Sequence, residues 1–214
     1  MLKPSSSAPL PKKKRVTKAP DVRREELLQE ASALFLEKGV SNTGIGDITD
    51  RTGVARGTFY LYFTSKEVLV SELWQRYVAG FMSLTDDLVA DDGESGNPDI
   101  LIEFLTRLAE HALRHAHLHR AIYGSADGNA IALCKRSDEA ILARLNEILR
   151  MRAHSRADRS ESDDLTASLL FHALDGTLHR LIMKEDQIDS EAFLSGVRQF
   201  AERVTRAAPA EPHG

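Results

Sequence analysis

The sequence predicts an all-α protein on three observations. Apolar residues recur at three- and four-residue spacings in stretch after stretch from Asp21 onward, the period of helices that bury one face. No stretch of useful length alternates apolar and polar residues as a half-buried strand does. The breaks carry helix starts and stops, such as Lys38-Gly39, Thr64-Ser65 and the Asp-, Gly-, Asn- and Pro-bearing run at 90–98.

The elements follow in order. Residues 1–20 are rich in Pro, Ser and Lys, with no aromatic residue and no apolar period, which predicts a disordered arm. Within it Pro11-Lys12-Lys13-Lys14-Arg15-Val16 fits a solvated basic tail, a DNA-touching arm or a short nuclear-localisation signal. A first helix runs from Asp21, expected to cap it, to Lys38, with Leu27, Leu28, Ala31, Leu34 and Phe35 as its buried stripe. Two short helices follow at 45–51 and 55–63, with Ile45, Ile48, Val54, Phe59 and Phe63 as apolar positions. Helices of about two turns cannot stand alone. Joined by Thr52-Gly53-Val54 and packed on the first helix, they make a helix-turn-helix. Gly53 supplies the left-handed residue that the turn needs.

A longer helix opens at Lys66, capped by Thr64 or Ser65. Glu67, three residues past Thr64, offers a capping box. Leu69, Leu73, Trp74, Tyr77 and Phe81 form its buried stripe. Beyond the 90–98 loop come four helical stretches, 99–123, 129–154, 163–184 and 190–207, the last with a Ser start. The domains expected are an arm at 1–20, a helix-turn-helix at 21–66, a helical body at 67–207 and a flexible tail at 208–214.

Composition excludes several classes. No run approaches the ~18 apolar residues of a membrane span, and Lys3 has no apolar run behind it, so neither a membrane nor a secretory signal is expected. Cys134 is the only cysteine, which excludes an intrachain disulfide framework and a zinc ribbon and suits a reducing cytoplasm. Net charge is −4, but its distribution is lopsided. Residues 1–66 hold 12 of the 28 Lys and Arg against 7 of the 32 Asp and Glu, leaving 16 against 25 for the remainder. A basic front on an acidic body is expected when one part alone meets a polyanion.

The segment from Gly53 to Glu67 concentrates the chemistry. Arg56 can reach guanine O6 and N7 in bidentate fashion, and Thr58 can meet a base or a phosphate. Gly57 lets backbone approach a groove floor. The Tyr60 and Tyr62 hydroxyls suit phosphate oxygens. Lys66 sits at a helix N-terminus, where amides, dipole and ammonium favour phosphate.

This segment resembles the signature of the TetR family: a Gly-Val turn, a basic-Gly-Thr start, a Tyr-x-x-Phe core and Ser-Lys-Glu, with a match over residues 22–77. The resemblance implies that 55–63 is the recognition helix, with Phe59 and Phe63 inward. It puts Arg56, Gly57, Thr58, Tyr60, Leu61, Tyr62 and Lys66 on DNA-facing positions. Ala55 stands where the family commonly has Ser and cannot cap. Gly44 stands where it usually has Thr, with Thr43 just before.

The resemblance further implies a homodimer joined through the last two long helices, on whose apolar faces Leu178 and Phe200 lie. It also implies an effector pocket among the middle helices. An apolar or amphipathic small molecule is expected there. Phe104, Leu108, Tyr123 and Phe171 would be its walls, and His111, His115, His172 and Asp175 its orienting groups. No cofactor is expected, and the four-residue spacing of His111, His115 and His119 brings no carboxylate or thiolate to complete a metal site. Cys134 reads as a small buried hydrophobe. The expected function is a ligand-responsive repressor in the cytoplasm, on the nucleoid, that binds a palindromic operator in double-stranded DNA. The alternatives are a DNA-binding activator or architectural factor without ligand, and a helical enzyme, for which the chain offers no nucleophile–base set or cofactor loop.

Overall fold

The computed structural model describes residues 19–90, 99–153, 162–184 and 189–206. The expectations for residues 1–18, for the loop at 91–98 and for the tail at 208–214 lie outside the described residues. Those described form helices and no strand. They are α1 (Pro20–Lys38), α2 (Ile45–Thr52), α3 (Arg56–Tyr60), α4 (Lys66–Ser83), α5 (Asp86–Ala90) and α6 (Ile100–Arg114). There follow α7 (Ala116–Tyr123), α8 (Gly128–Lys135), α9 (Asp138–Ala153), α10 (Ser162–Met183) and α11 (Ser190–Arg206).

Several boundaries differ from expectation. α1 begins at Pro20, whose fixed φ suits a first helical position, so Ala19 rather than Asp21 occupies the N-cap. Gly44 caps α2 and donates its N–H to the Asp47 carboxylate at 2.7 Å, while Thr43 is buried and donates to the Gly39 carbonyl at 2.8 Å. Gly53 ends α2 in the left-handed conformation, φ 68°. α3 is five residues long, and Ala55 caps it with no side-chain bond. Ser65 caps α4 by accepting the Val68 N–H, which puts Glu67 one position too early for a capping box.

Two expected helices are each split in two. The 99–123 stretch breaks at His115, where the ring Nδ1 and the backbone N–H both donate to the His111 carbonyl. The 129–154 stretch breaks at Arg136-Ser137, and Asp138-Glu139 starts α9 afresh with an acidic first turn. The short α5 was not expected. Arg107 holds it through Asp87 and the Leu84 carbonyl, each at 2.6 Å, and Arg144 through Asp86 and the Thr85 carbonyl.

α4 is the spine. It packs on α1, α6, α8 and α9, while α7 bridges α1 to α10 and α11 lies along α6. One contiguous apolar cluster runs from Leu27 and Phe35 through Phe59, Phe63 and Phe81 to Leu178 and Ala201. Leu178 therefore corrects the sequence expectation: it is buried in its own subunit instead of standing on an outer face. The apolar side chains that do stand outward on the last two helices are Leu165 and Leu169, each 62% exposed, and Phe200, 41% exposed. Truncating Leu178 to Ala should accordingly cost about 2–5 kcal/mol of folding stability, read by urea denaturation.

Candidate nucleic-acid interface and buried polar cavity

α3 is far too short to persist in water by itself. It is held from behind. Phe59 and Phe63 are fully buried with ring centroids 5.6 Å apart, and the Arg24 guanidinium sits over Phe63, 5.1 Å from its centroid. Arg24 also pairs with Glu72, which ties α1 and α4 to the same ring. Arg51 locks α2 to α1 through Glu37 at 2.6 Å and Glu30 at 3.0 Å.

The opposite side of α3 is open. Arg56 is exposed and has no bonded partner among the described residues; Gly57, Tyr60 and Leu61 are exposed too, Leu61 at 79%. A Cβ added at Gly57 would meet nothing within 4 Å, so this subunit's own packing does not require glycine there. Arg56 and Tyr60 face a cleft of about 290 Å³ against the starts of α2 and α4, where Gly44, Ile45, Thr64 and Ser65 lie. Two helix N-termini beside a guanidinium make a cleft suited to an anion. The sequence reading named Gly44 and Thr64 at helix starts and Ile45 as an apolar position, but did not count the three among the DNA-facing residues.

Three expected contacts sit differently. The Lys66 ammonium donates to the carbonyls of Val40 at 2.8 Å and Thr43 at 2.9 Å. It is foremost a staple between α4 and the α1–α2 turn, with two of its three N–H groups committed. Tyr62 is half-buried against the core, and Thr58 is partly buried behind Arg56.

The body holds a second feature between α4, α6, α7, α9 and α10. A cavity of about 20 Å³, roughly one water's worth, is lined by Trp74, Tyr77, Leu108, His119, Asp138, Phe171, Asp175 and Leu178 among others. Of the expected pocket residues, Leu108, Phe171 and Asp175 line it. Phe104 packs in the core on Phe81, and Tyr123 stacks on His119 at 4.6 Å. His111 is buried; it donates through Nε2 to the Tyr77 carbonyl, and its Nδ1 lacks a partner among the described residues. His115 turns to the His111 carbonyl, and the exposed His172 turns to the Ser168 carbonyl, so neither reaches the cavity.

The sequence reading missed Trp74 and Tyr77, taken as plain core, and Asp138, hidden by the undetected break before α9. Burial, and then the charge of Asp175, pushes the Asp138 carboxyl up to about 6. Burial likewise raises Asp175. Burial and the neighbouring His179 push His119 down to about 4, and the two rings share a hydrogen bond of 2.9 Å. No group of three or more potential metal ligands occurs among the described residues, and burial pushes the Cys134 thiol up to about 12.

With this geometry described, known proteins can be set beside it. Residues 27–73 match the family model for bacterial regulatory proteins of the tetR family. That segment carries the N-terminal DNA-binding signature of the tetR family. The TetR-family match begins in α1 and ends inside α4, so it includes the whole helix-turn-helix. The HTH-type transcriptional repressor KstR2 of Mycobacterium tuberculosis is 34% identical over 101 residues, 47% of this chain and 49% of the relative. The chain thus spans about half the length of that relative. A solved protein of Syntrophomonas wolfei assigned to the TetR family superposes with a TM-score of 0.75 at 18% identity, covering 90% of this chain and 99% of its own. The regulator FadR of Bacillus subtilis, solved with stearoyl-CoA, gives 0.61 at 17%, covering 83% and 96%. At these identities the two structures speak for the TetR fold alone.

Gly57 gives a direct test of what the open face is for. Gly57→Ala should raise folding stability by about 0.5–1 kcal/mol, since alanine favours helix and meets no obstacle. It should at the same time weaken DNA binding, as seen by paired urea denaturation and fluorescence anisotropy with labelled duplex.

Proposed function

We propose that this chain is a dimeric, ligand-responsive DNA-binding repressor of the TetR family. The observation that carries the reading is the outward face of α3, where Arg56, Gly57, Tyr60 and Leu61 stand exposed and no side chain of theirs forms a hydrogen bond or ion pair among the described residues. Residues 21–66 serve as the reading head and 67–207 as the body that senses and dimerises. Arg56 reads a base edge, with Thr58, Tyr60 and Leu61 beside it. Tyr62 and Lys66 hold the face in place from its flank, with the remaining Lys66 N–H free to meet a phosphate. The reading assigns the chain no catalysis and puts it on chromosomal DNA in the cytoplasm.

One such head covers one half-site, so tight binding calls for two heads a DNA turn apart on a palindrome. The exposed Leu165, Leu169 and Phe200 support pairing through α10 and α11. Effector response is supported by the placement of α4, which carries Trp74 and Tyr77 in the cavity wall and Lys66 at the reading head. The water-sized cavity favours a second reading, DNA binding without any ligand. A native mass spectrum of the freshly purified protein separates the two: a co-purified small molecule supports the effector reading, and a bare dimer that still binds DNA supports the second.

Arg56→Ala should cost about 1–3 kcal/mol on the preferred duplex and relax preference at one position in each half-site. Binding selection from a random library checks this, and unchanged preferences would remove Arg56 from base reading. Phe200→Asp should leave the helical fold intact and convert the dimer to monomer in light scattering, because pairing would bury an unmatched charge. A wild-type monomer at micromolar concentration would end the dimer reading.

A further inference from the structure

We infer that the cavity between α4, α6, α9 and α10 takes a ligand with one cationic nitrogen on an apolar body, its charge held between Asp138 and Asp175 against the Trp74 and Tyr77 rings. This deepens the effector reading and rests on it for the link to DNA release.

The charge balance of the wall carries the inference. Two carboxylates face a space otherwise walled by aromatic and aliphatic side chains such as Leu108, Phe171 and Leu178. Neither carboxylate forms an ion pair within 4.0 Å among the described residues. Asp138 has only a long 3.5 Å bond from the Trp74 indole. Both carboxylates are half-buried; a carboxylate partly withdrawn from water gains from a partner charge or several donors, and burial raises both above their ordinary range. The nearest basic side chains do not supply that partner. Lys135 and His172 are exposed, His179 lies a helical turn from Asp175 and is bonded to His119, and burial keeps His119 neutral.

The rings supply the second half of a cation site. Trp74 lies 4.5 Å from Tyr77 and 5.2 Å from Tyr123, centroid to centroid, and aromatic faces attract a desolvated cation. An anionic head group would meet two carboxylates and no opposing charge. The present space holds about one water, so the head group takes that volume. The body of the ligand enters by parting α4 from α9 and α10, which moves the helix that carries Lys66.

Trp74 is the only tryptophan of the chain and lines this cavity, so fluorescence excited selectively at tryptophan reports from its wall. The experiment titrates the full-length protein near pH 7.5 with three probes that share one body: 4-phenylbutylamine, 4-phenylbutan-1-ol and 4-phenylbutanoate. The amine should bind at least about tenfold tighter than the alcohol, and the carboxylate weakest. Asp138→Asn and Asp175→Asn, each of unchanged size and each shown folded by circular dichroism, should bring the amine within about threefold of the alcohol and leave the alcohol unaffected. If the variants do not fold, the wild-type probe series still decides. Equal or tighter binding of the alcohol or carboxylate, no response to any probe, or a tenfold preference that survives in both variants overturns the inference. Repeating the titration on DNA-bound protein separates the two readings. A carboxylate-dependent amine site with equal affinity on and off DNA upholds the cation site and sinks the effector reading. Release of DNA by the alcohol with no amine preference does the reverse.

Discussion

A five-residue helix has no stability of its own in water, yet in this protein such a helix presents the open face that we propose meets DNA. Everything around α3 answers that constraint. Phe59 and Phe63 bury its inner side, Arg24 closes over Phe63 while paired to Glu72, and Arg51 fixes α2 to α1. The face can then afford residues that local stability would reject: an uncapped start at Ala55 and a glycine inside the helix at Gly57. Both weaken the helix, and both leave the outward surface low and unobstructed. The price falls on the core behind it.

The body shows the same trade in a different form. A cluster of Trp74, Tyr77, His119, Tyr123, Asp138 and Asp175 interrupts a largely apolar interior. Packing alone would favour leucines at such positions, because half-buried carboxylates with no directly paired counter-charge cost free energy. Their location on helices that meet α4 makes the cluster mechanically relevant. Any change that separates α4 from α9 acts on an eighteen-residue helix whose first residue, Lys66, is bonded to the carbonyls of the α1–α2 turn.

Much of this was legible in the sequence, and the reasons differ by region. The helix-turn-helix geometry was legible because turn chemistry, apolar spacing and exposed polar identity coincide over a short stretch: Gly53 at φ 68°, Phe59 and Phe63 inward, Arg56 outward. The body was legible only as helices. The break at His115 leaves no Gly or Pro to mark it, since a histidine ring bonded to the carbonyl of the preceding turn makes it. The start of α9 did leave a mark, Ser137-Asp138-Glu139, but it sits inside an apolar pattern that reads as continuous. Periodicity says which face of a helix is buried and not what buries it. Leu178 thus turned out to be covered by its own subunit, while Leu165 and Leu169 on the same helix stand outward. The cavity residues escaped for a related reason: Trp74 and Tyr77 look like any core aromatics until the carboxylates of other helices are placed beside them.

The Lys66 staple has a consequence for behaviour in changing ionic strength. Its partners are the neutral carbonyls of Val40 and Thr43, met at 2.8 and 2.9 Å in a partly buried site. Mobile ions screen charges that lie a Debye length or more apart, and do little to a short contact with a fixed dipole. Binding to DNA is the opposite case, because it gains from counterion release and fades steeply as salt rises. On the proposed reading, a salt pulse that lifts the protein from DNA would therefore leave the helix-turn-helix in register for rebinding on dilution.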